Sequence, residues 1–249
     1  MREVKYPFLN KNFEKGKFKI KKGEKPYLKQ DGKVSKFKIW IVDGEYIRKN
    51  ICEDFVNMGQ HYLYKFIPKN EFWIAKEAYE GEENYYVNHL LIENKLMASG
   101  VPYDKAYVIA AKTERKERKK SLTAKKIEKE NPQKKELIKK THIKLLQELK
   151  NGICVWLING EIVRDFFYSS FAGGGHDKVY NFIPKKEIWI DNDIPKKERK
   201  FIMLHEIHER NLMEKRISYK NAHYSATKIE DFARQNPKKI NSLIKQEII

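Results

Sequence analysis

Residues 64–74 read YKFIPKNEFWI, and residues 180–190 read YNFIPKKEIWI. Eight of the eleven positions are identical, and the two stretches are separated by 116 residues. In both, a proline divides two short segments rich in aromatic and β-branched residues, which is the composition of strands joined by a turn. The stretch therefore predicts two copies of one folding unit built on a β-sheet.

The similarity extends well beyond this stretch. Over positions 39–114, which are 76 residues, 24 are identical to the residue 116 places later, without a gap. So long an ungapped match indicates a duplication, and a period of this length is typical of paired domains and not of a solenoid. The chain is expected to divide into a basic N-terminal arm at 1–35, a first repeat at 36–115, a basic helical linker at 116–151, a second repeat at 152–235 and a C-terminal tail at 236–249.

Both repeats carry the same turn signal near their start. The Asp-Gly pair at 43–44 and the Asn-Gly pair at 159–160 lie within apolar segments. Such pairs favour the two-residue turn of a β-hairpin. We therefore expect hairpins at 39–47 and 155–163.

Strands and helices are expected to follow each hairpin in the same order. The expected strands are 62–67, 71–74, 179–183 and 187–190, and the expected helices are 82–98, 102–120, 195–215 and 218–235. The linker is expected to be helical with a break at Asn131-Pro132, and the tail to form a short helix. The predicted fold class is α+β, with two tandem homologous domains, each a small antiparallel sheet followed by two helices, joined by a basic helical linker.

Composition restricts the class of protein. The chain has 249 residues and two cysteines, Cys52 and Cys154. Two cysteines do not form a disulfide framework, so free thiols in a reducing compartment are expected. No run approaches the length of a membrane span, and the N-terminus lacks the apolar core of a signal peptide. We expect a soluble cytoplasmic protein without membrane attachment.

The formal net charge of +18 is concentrated in two segments, because residues 1–35 carry +7 and residues 112–150 carry +9. Such segments attract nucleic acid through its phosphate charge, and they are equally typical of solvated helix faces. A non-catalytic binding or structural protein that associates with nucleic acid through residues 1–35 and 112–150 is therefore one functional hypothesis.

The second hypothesis arises from residues 201–213, FIMLHEIHERNLM, whose apolar positions fit one face of a helix. On a helix, His205 and Glu209 are four residues apart and lie one turn apart on the same side. Imidazole and carboxylate groups that converge from one face are typical metal ligands. The alternative is a helix whose polar side chains are solvated or paired, for example Glu206 with Arg210.

Comparison of the two copies locates the chemistry in the second. His205, Glu209 and Glu230 have identical counterparts in the first repeat, at His89, Glu93 and Glu114. Three other polar groups occur only in the second repeat, where Glu206, His208 and His223 stand in place of Leu90, Ile92 and Tyr107. A single active centre is therefore expected in residues 152–235, with a degenerate equivalent in the first repeat.

Several residues are candidates to complete the site. His223 and Glu230 lie two turns apart on one face of the following helix, and either is a candidate third ligand. His176 and Asp177, in the glycine-rich loop at 173–177, are further candidates, as is His208. In the motif His-Glu-x-x-His, the glutamate takes a proton from the water that zinc activates. Glu206 occupies that position here.

The run Glu198-Arg199-Lys-Phe201-Ile-Met-Leu-His205-Glu206, preceded by the strand at 187–190, resembles the small zincin metallopeptidases of the ImmA/IrrE kind. The resemblance covers about 30 residues of one copy. It implies zinc-dependent hydrolysis of a peptide or protein, with an acidic third ligand for which Glu230 is the nearest match. The sequence departs from that family in having Glu209 where the second histidine belongs.

Overall fold

The computed structural model describes residues 25–52, 54–78, 81–130, 132–149 and 152–248. These residues form two compact units, the first ending at Leu122 and the second beginning at Thr123. Residues 1–24, which include most of the expected basic arm, lie outside the described residues. Among the described residues, none of the helices has the length and apolar content that a membrane crossing requires.

The first unit contains four strands and three helices among its described residues. In chain order they are β1 (Tyr27–Val34), β2 (Phe37–Val42), α1 (Gly44–Asn50), β3 (Met58–Gln60), β4 (Glu71–Ala75), α2 (Glu83–Ala98) and α3 (Tyr103–Arg118).

The second unit repeats this order after two further helices. Its elements are α4 (Leu122–Glu130, which begins at the boundary), α5 (Lys134–Thr141), β5 (His142–Glu148), β6 (Cys154–Ile158), α6 (Gly160–Phe166), β7 (Gly174–His176), β8 (Glu187–Asp191), α7 (Arg199–Glu214), α8 (Tyr219–Gln235) and α9 (Ile240–Glu247).

The two sheets have the same topology. The strand order is β1-β2-β4-β3 in the first unit and β5-β6-β8-β7 in the second. The central pair is parallel in each sheet, with Trp40 opposite Trp73 and Trp156 opposite Trp189, and the outer pairs are antiparallel. The predicted α+β class and the paired sheet-plus-helix units are confirmed, but the sheets are mixed and not purely antiparallel.

The prediction of hairpins at 39–47 and 155–163 was wrong, which is why the parallel pairing was not expected. At both places the strand runs directly into a helix. Asp43 and Asn159 cap α1 and α6, since the side-chain Oδ1 of each accepts a hydrogen bond of 3.1 Å from the backbone N–H three residues later. Aspartate and asparagine favour helix caps as strongly as turns, so the same pair of residues suits either structure.

The strands expected at 62–67 and 179–183 are turns in the structure, and the third strands β3 and β7 lie a few residues earlier. The aromatic residues that suggested a strand have a different role. The rings of Tyr64 and Tyr180 pack edge-on against the buried rings of Phe55 and Phe171, with centroids 5.4 and 5.7 Å apart. The apolar pattern therefore reflects a loop that covers the core.

The expected linker is helical only in part. Residues 122–130 and 134–141 are helical, but residues 142–148 form β5, which pairs antiparallel with β6. Likewise, residues 27–34 at the end of the expected arm form β1. Each sheet thus begins with a strand upstream of the recognised repeat. The tail forms α9, as expected.

The core of the second unit fixes the position of α7. Its buried residues come from the sheet, such as Val155 and Ile188, and from α7 itself, such as Ile202 and Ile207. Burial of each such side chain contributes roughly 1.5–3 kcal/mol. Helix α7 contacts β7, β8, α8 and α9, so its polar residues are brought close to the end of β7 and to α8.

Candidate metal centre

Three of the candidate ligands converge between α7 and α8. His205 Nε2 lies 3.2 Å from His223 Nδ1 and 3.5 Å from Glu209 Oε2, and His223 Nδ1 lies 2.6 Å from the same oxygen. Ligands at about 2.0–2.1 Å from a tetrahedral zinc lie roughly 3.3 Å from one another. Two sides of the triangle of donor atoms are close to this spacing and the third, at 2.6 Å, is shorter, and this group of residues could bind a metal ion.

The local sequence explains this convergence. His205 and Glu209 are four residues apart on α7, so they share one face of the helix. His223 lies in the second turn of α8, which packs along α7. Small residues on α8, Ala222 and Ala226, are fully buried, which allows the two helices to approach closely.

Glu230 lies on the other nitrogen of the His205 ring. His205 Nδ1 is 2.9 Å from Glu230 Oε2, and Arg234 binds the second carboxylate oxygen of Glu230 through Nε at 2.9 Å and Nη2 at 2.8 Å. Arg234 also pairs with Glu198. A carboxylate on the distal nitrogen of a ligating histidine fixes its tautomer and ring orientation. The structure thus places Glu230 behind His205 and not beside His223.

The charges of these groups are strongly coupled. Burial lowers the pKa of His205, but hydrogen bonds to Glu209 and Glu230 raise that pKa well above its ordinary value. Burial raises the pKa of Glu209, and hydrogen bonds with three histidines hold that pKa far below its usual range. Burial also raises the pKa of Glu230, but the charge of Arg234 and the hydrogen bond from His205 lower it to about 2. Both carboxylates are therefore ionised at neutral pH.

His176 and Asp177, the two loop candidates, have different surroundings. His176 is at the end of β7 and fully buried, and its Nε2 lies 2.9 Å from Glu209 Oε1. Asp177 forms a two-point ion pair with Arg210, at 2.6 and 3.0 Å. Arg210 thus pairs with Asp177 and not with Glu206, which was the alternative that the sequence suggested.

Glu206 is buried on the same side of the cluster as His176. Its carboxylate belongs to a second group of potential ligands with His176 and Glu209, whose donor atoms lie within 4.8 Å of one another. No described residue forms a hydrogen bond with this carboxylate. Burial raises the pKa of Glu206, the charge of His205 opposes this and the charge of Glu209 adds to it, so the pKa is raised to about 7.

A glycine in β7 makes room for Glu206. A Cβ atom on Gly174 would lie 3.0 Å from the Glu206 side chain and 2.9 Å from Ile202 Cγ2. Real Cβ atoms do not approach heavy atoms so closely without displacing them. The backbone of β7 therefore packs directly against α7 at the level of Glu206, and a larger residue at position 174 would displace this carboxylate.

His208 lies outside both groups of potential ligands. Its Nδ1 is 2.8 Å from Glu247 Oε1 and its Nε2 is 2.9 Å from Ser225 Oγ. Since Glu247 belongs to α9 and Ser225 to α8, the ring of His208 links α7 to both of these helices. These contacts account for His208 as a structural residue.

The first unit keeps the framework of this centre without its third ligand. His89 Nδ1 lies 2.7 Å from Glu114 Oε2, its Nε2 lies 3.5 Å from Glu93 Oε2, and Arg118 Nε donates to Glu114 at 2.7 Å. Tyr107 stands where the second unit has His223. The first unit therefore has the histidine, both carboxylates and the arginine, and among its described residues no group of metal ligands is found.

Sequence reasoning missed the arginines and the glutamates behind them. Arg118 and Arg234 are fully or almost fully buried and bind Glu82 and Glu198 as well as the carboxylates of the cluster. Each pair is identical at the same separation of 116 residues. That identity was the available signal, because a buried arginine retained in both copies requires carboxylate partners in both.

No protein-family model, no curated protein and no solved structure matches this chain.

Proposed function

We propose that the protein is a metal-dependent hydrolase whose active centre lies in the second unit and cleaves an amide bond in a peptide or protein. The ion would be held by His205 Nε2, His223 Nδ1 and Glu209 Oε2, and zinc suits this donor set best. The observation that carries the proposal is the convergence of these three atoms, at 2.6–3.5 Å from one another.

The composition of the donor set supports zinc. Two imidazole nitrogens and one carboxylate oxygen are the ligands of catalytic zinc sites that leave the fourth position open. Glu230 on the distal nitrogen of His205 and Arg234 behind it provide the hydrogen-bonded support that such ligands need. The resemblance of residues 187–213 to zincin metallopeptidases points to the same chemistry.

The role of each side chain follows from its position. A zinc ion in such a site lowers the pKa of water and polarises a carbonyl group. Glu206, directly after His205 in the chain and without a hydrogen-bond partner among the described residues, would accept a proton from the attacking water and pass it to the leaving amine. The buried surroundings strengthen electrostatic interactions within the site.

Metal analysis of the purified protein tests this function. The native chain should contain or take up one ion per chain, and His205→Ala should lose it. His89→Ala is the matched control, because it removes the equivalent buried histidine from the first unit and should leave the ion in place. Absence of stoichiometric metal from the native protein, or equal metal content in the two variants, would reject the site.

Hydrolysis is tested separately from binding. Glu206→Gln should retain the ion and lose amide hydrolysis by at least about 100-fold, since general base catalysis contributes roughly 10²–10⁴-fold. The assay is cleavage of a mixed peptide library read by mass spectrometry. Retention of full cleavage activity by Glu206→Gln would show that another group accepts the proton.

A further inference from the structure

The centre contains a second group of potential ligands, formed by His176, Glu206 and Glu209, which shares Glu209 with the first. Taken alone, this grouping suggests a pair of metal ions bridged by one carboxylate. The hydrogen bonds of His176 lead to a different conclusion.

We propose that His176 is not a metal ligand but a positioning residue. It carries its proton on Nε2 and donates it to Glu209 Oε1, so that Oε2 is the oxygen presented to His205 and His223. The orientation of Oε2 toward an ion rests on the proposed function, whereas the position of the proton on His176 does not depend on it.

The first observation is a backbone donor on the opposite side of the His176 ring. The N–H of Lys178 points at His176 Nδ1, at 3.2 Å. A ring nitrogen that accepts a hydrogen bond carries no proton, so the proton of a neutral ring must be on the other nitrogen. His176 Nε2 lies 2.9 Å from Glu209 Oε1, where it is a donor and has no lone pair to offer a metal ion.

The first unit provides an independent test of this arrangement. Gln60 occupies the position that corresponds to His176, 116 residues earlier. Its Oε1 accepts from the backbone N–H of Tyr62 at 3.1 Å, and its Nε2 donates to Glu93 Oε1 at 2.7 Å. The amide oxygen of glutamine thus replaces Nδ1 of histidine, and the amide nitrogen replaces Nε2.

Glutamine fixes the direction of these bonds, because only its nitrogen donates and only its oxygen accepts. Both units therefore direct an N–H group at Oε1 of the glutamate in the third turn of α7 or α2. In the first unit this donor is the amide nitrogen of Gln60, which cannot act as a metal ligand. The two units therefore share the hydrogen bond to the carboxylate and differ in the residue that donates it, which is glutamine in the first unit and histidine in the second.

The consequence for the centre is a single ion. Glu209 Oε1 is occupied by His176, so Glu209 binds through one oxygen, and Glu206 stays free to act as a base. Two ions would require His176 to move its proton to Nδ1, which faces the N–H of Lys178, and would leave two donors opposed.

The position of the proton is measured on metal-free protein. Long-range ¹H–¹⁵N correlation spectra of the uniformly labelled chain, with His176→Gln used for assignment, should show a protonated Nε2 and an unprotonated Nδ1 at His176. The reverse tautomer would overturn the proposal. This measurement decides the matter even if the native chain binds no ion, an outcome that would reject only the proposed function.

The number of ions and the effect of His176 are measured by calorimetric titration with Zn²⁺. The native chain and His176→Gln should both bind one ion per chain, with dissociation constants within about threefold. His176→Ala should bind about 10- to 100-fold more weakly, the usual effect of removing a residue that orients a ligand. Gln60→Ala is the matched control and should bind as the native chain does.

Two ions per native chain, with one lost in His176→Gln, would overturn the proposal. So would equal affinity of His176→Ala and the native chain, because the hydrogen bond would then have no influence on Glu209. Circular dichroism melting of each variant separates these outcomes from loss of folding, and rescue by glutamine after failure of alanine identifies the donor as the required feature.

Discussion

Protonation of His89 should make the stability of the first unit depend on pH. His89 is almost fully buried between Glu93 and Glu114. Burial lowers the pKa of His89, but the hydrogen bonds to the two carboxylates outweigh this effect and raise the pKa from 6.5 to about 9. The folded state therefore binds the proton more tightly than the unfolded chain does.

The size of the effect follows from the difference between the two pKa values. One pKa unit corresponds to about 1.4 kcal/mol, so a rise from 6.5 to about 9 contributes on the order of 3 kcal/mol to the free energy of unfolding. Because the folded pKa is the higher one, this contribution is complete below pH 6.5. It decreases as the pH rises and is lost above about pH 9.

The assay compares the native chain with His89→Gln in urea unfolding at pH 6, 8 and 10, followed by circular dichroism. The variant lacks the titrating group, so other ionisations cancel in the difference between the two unfolding free energies. That difference should shrink by on the order of 3 kcal/mol between pH 6 and pH 10. A difference that stays constant over this range would refute the reasoning that the two carboxylates hold His89 in its charged form.

Three further predictions concern other parts of the chain. Arg234→Met removes the buried arginine that pairs with Glu230 and Glu198 and should lower the unfolding free energy by about 3–5 kcal/mol, as should Arg118→Met in the first unit. Only Arg234→Met should weaken Zn²⁺ binding in calorimetry, and equal weakening by both variants would contradict the assignment of the centre. Asn159→Ala removes the cap of α6 and should cost about 1 kcal/mol in urea unfolding, whereas an unchanged midpoint would contradict the capping bond. If the basic segments bind nucleic acid, the electrophoretic shift of DNA or RNA should weaken steeply as the salt concentration rises, and it should persist with His205→Ala. A shift that does not depend on salt would exclude binding through phosphate charge.

The paired architecture could be predicted because the duplication left identical residues at constant separation. Trp73 and Trp189 are fully buried at corresponding positions of the two sheets, so their environment restricts substitution. By contrast, β1 and β5 were not recognised as equivalent. Most of the residues in these strands are exposed or only partly buried, and an edge strand held through its backbone tolerates changes of side chain. The start of each sheet therefore could not be found from sequence identity.

The candidate site was predictable to the extent that helix geometry determines it. His205 and Glu209 lie on one face because four residues make about one turn, and His223 was identified because it occurs only in the second copy. The separation of Glu230 from the ligand group could not be predicted. It depends on which ring nitrogen of His205 contacts Glu230 and which contacts His223, both on α8, and this is set by the packing of the two helices.

The parallel pairing at the centre of each sheet has a consequence for how the chain folds. Strands β2 and β4, in which Trp40 lies opposite Trp73, are separated in the chain by α1 and β3. The middle of the sheet therefore cannot form as a local hairpin. The antiparallel pair β1 and β2, which are adjacent in the chain, should form early, and the parallel pair should follow only after the intervening loop has closed. Each unit is therefore expected to fold more slowly than a meander of the same size, with the central parallel pair of its sheet formed last.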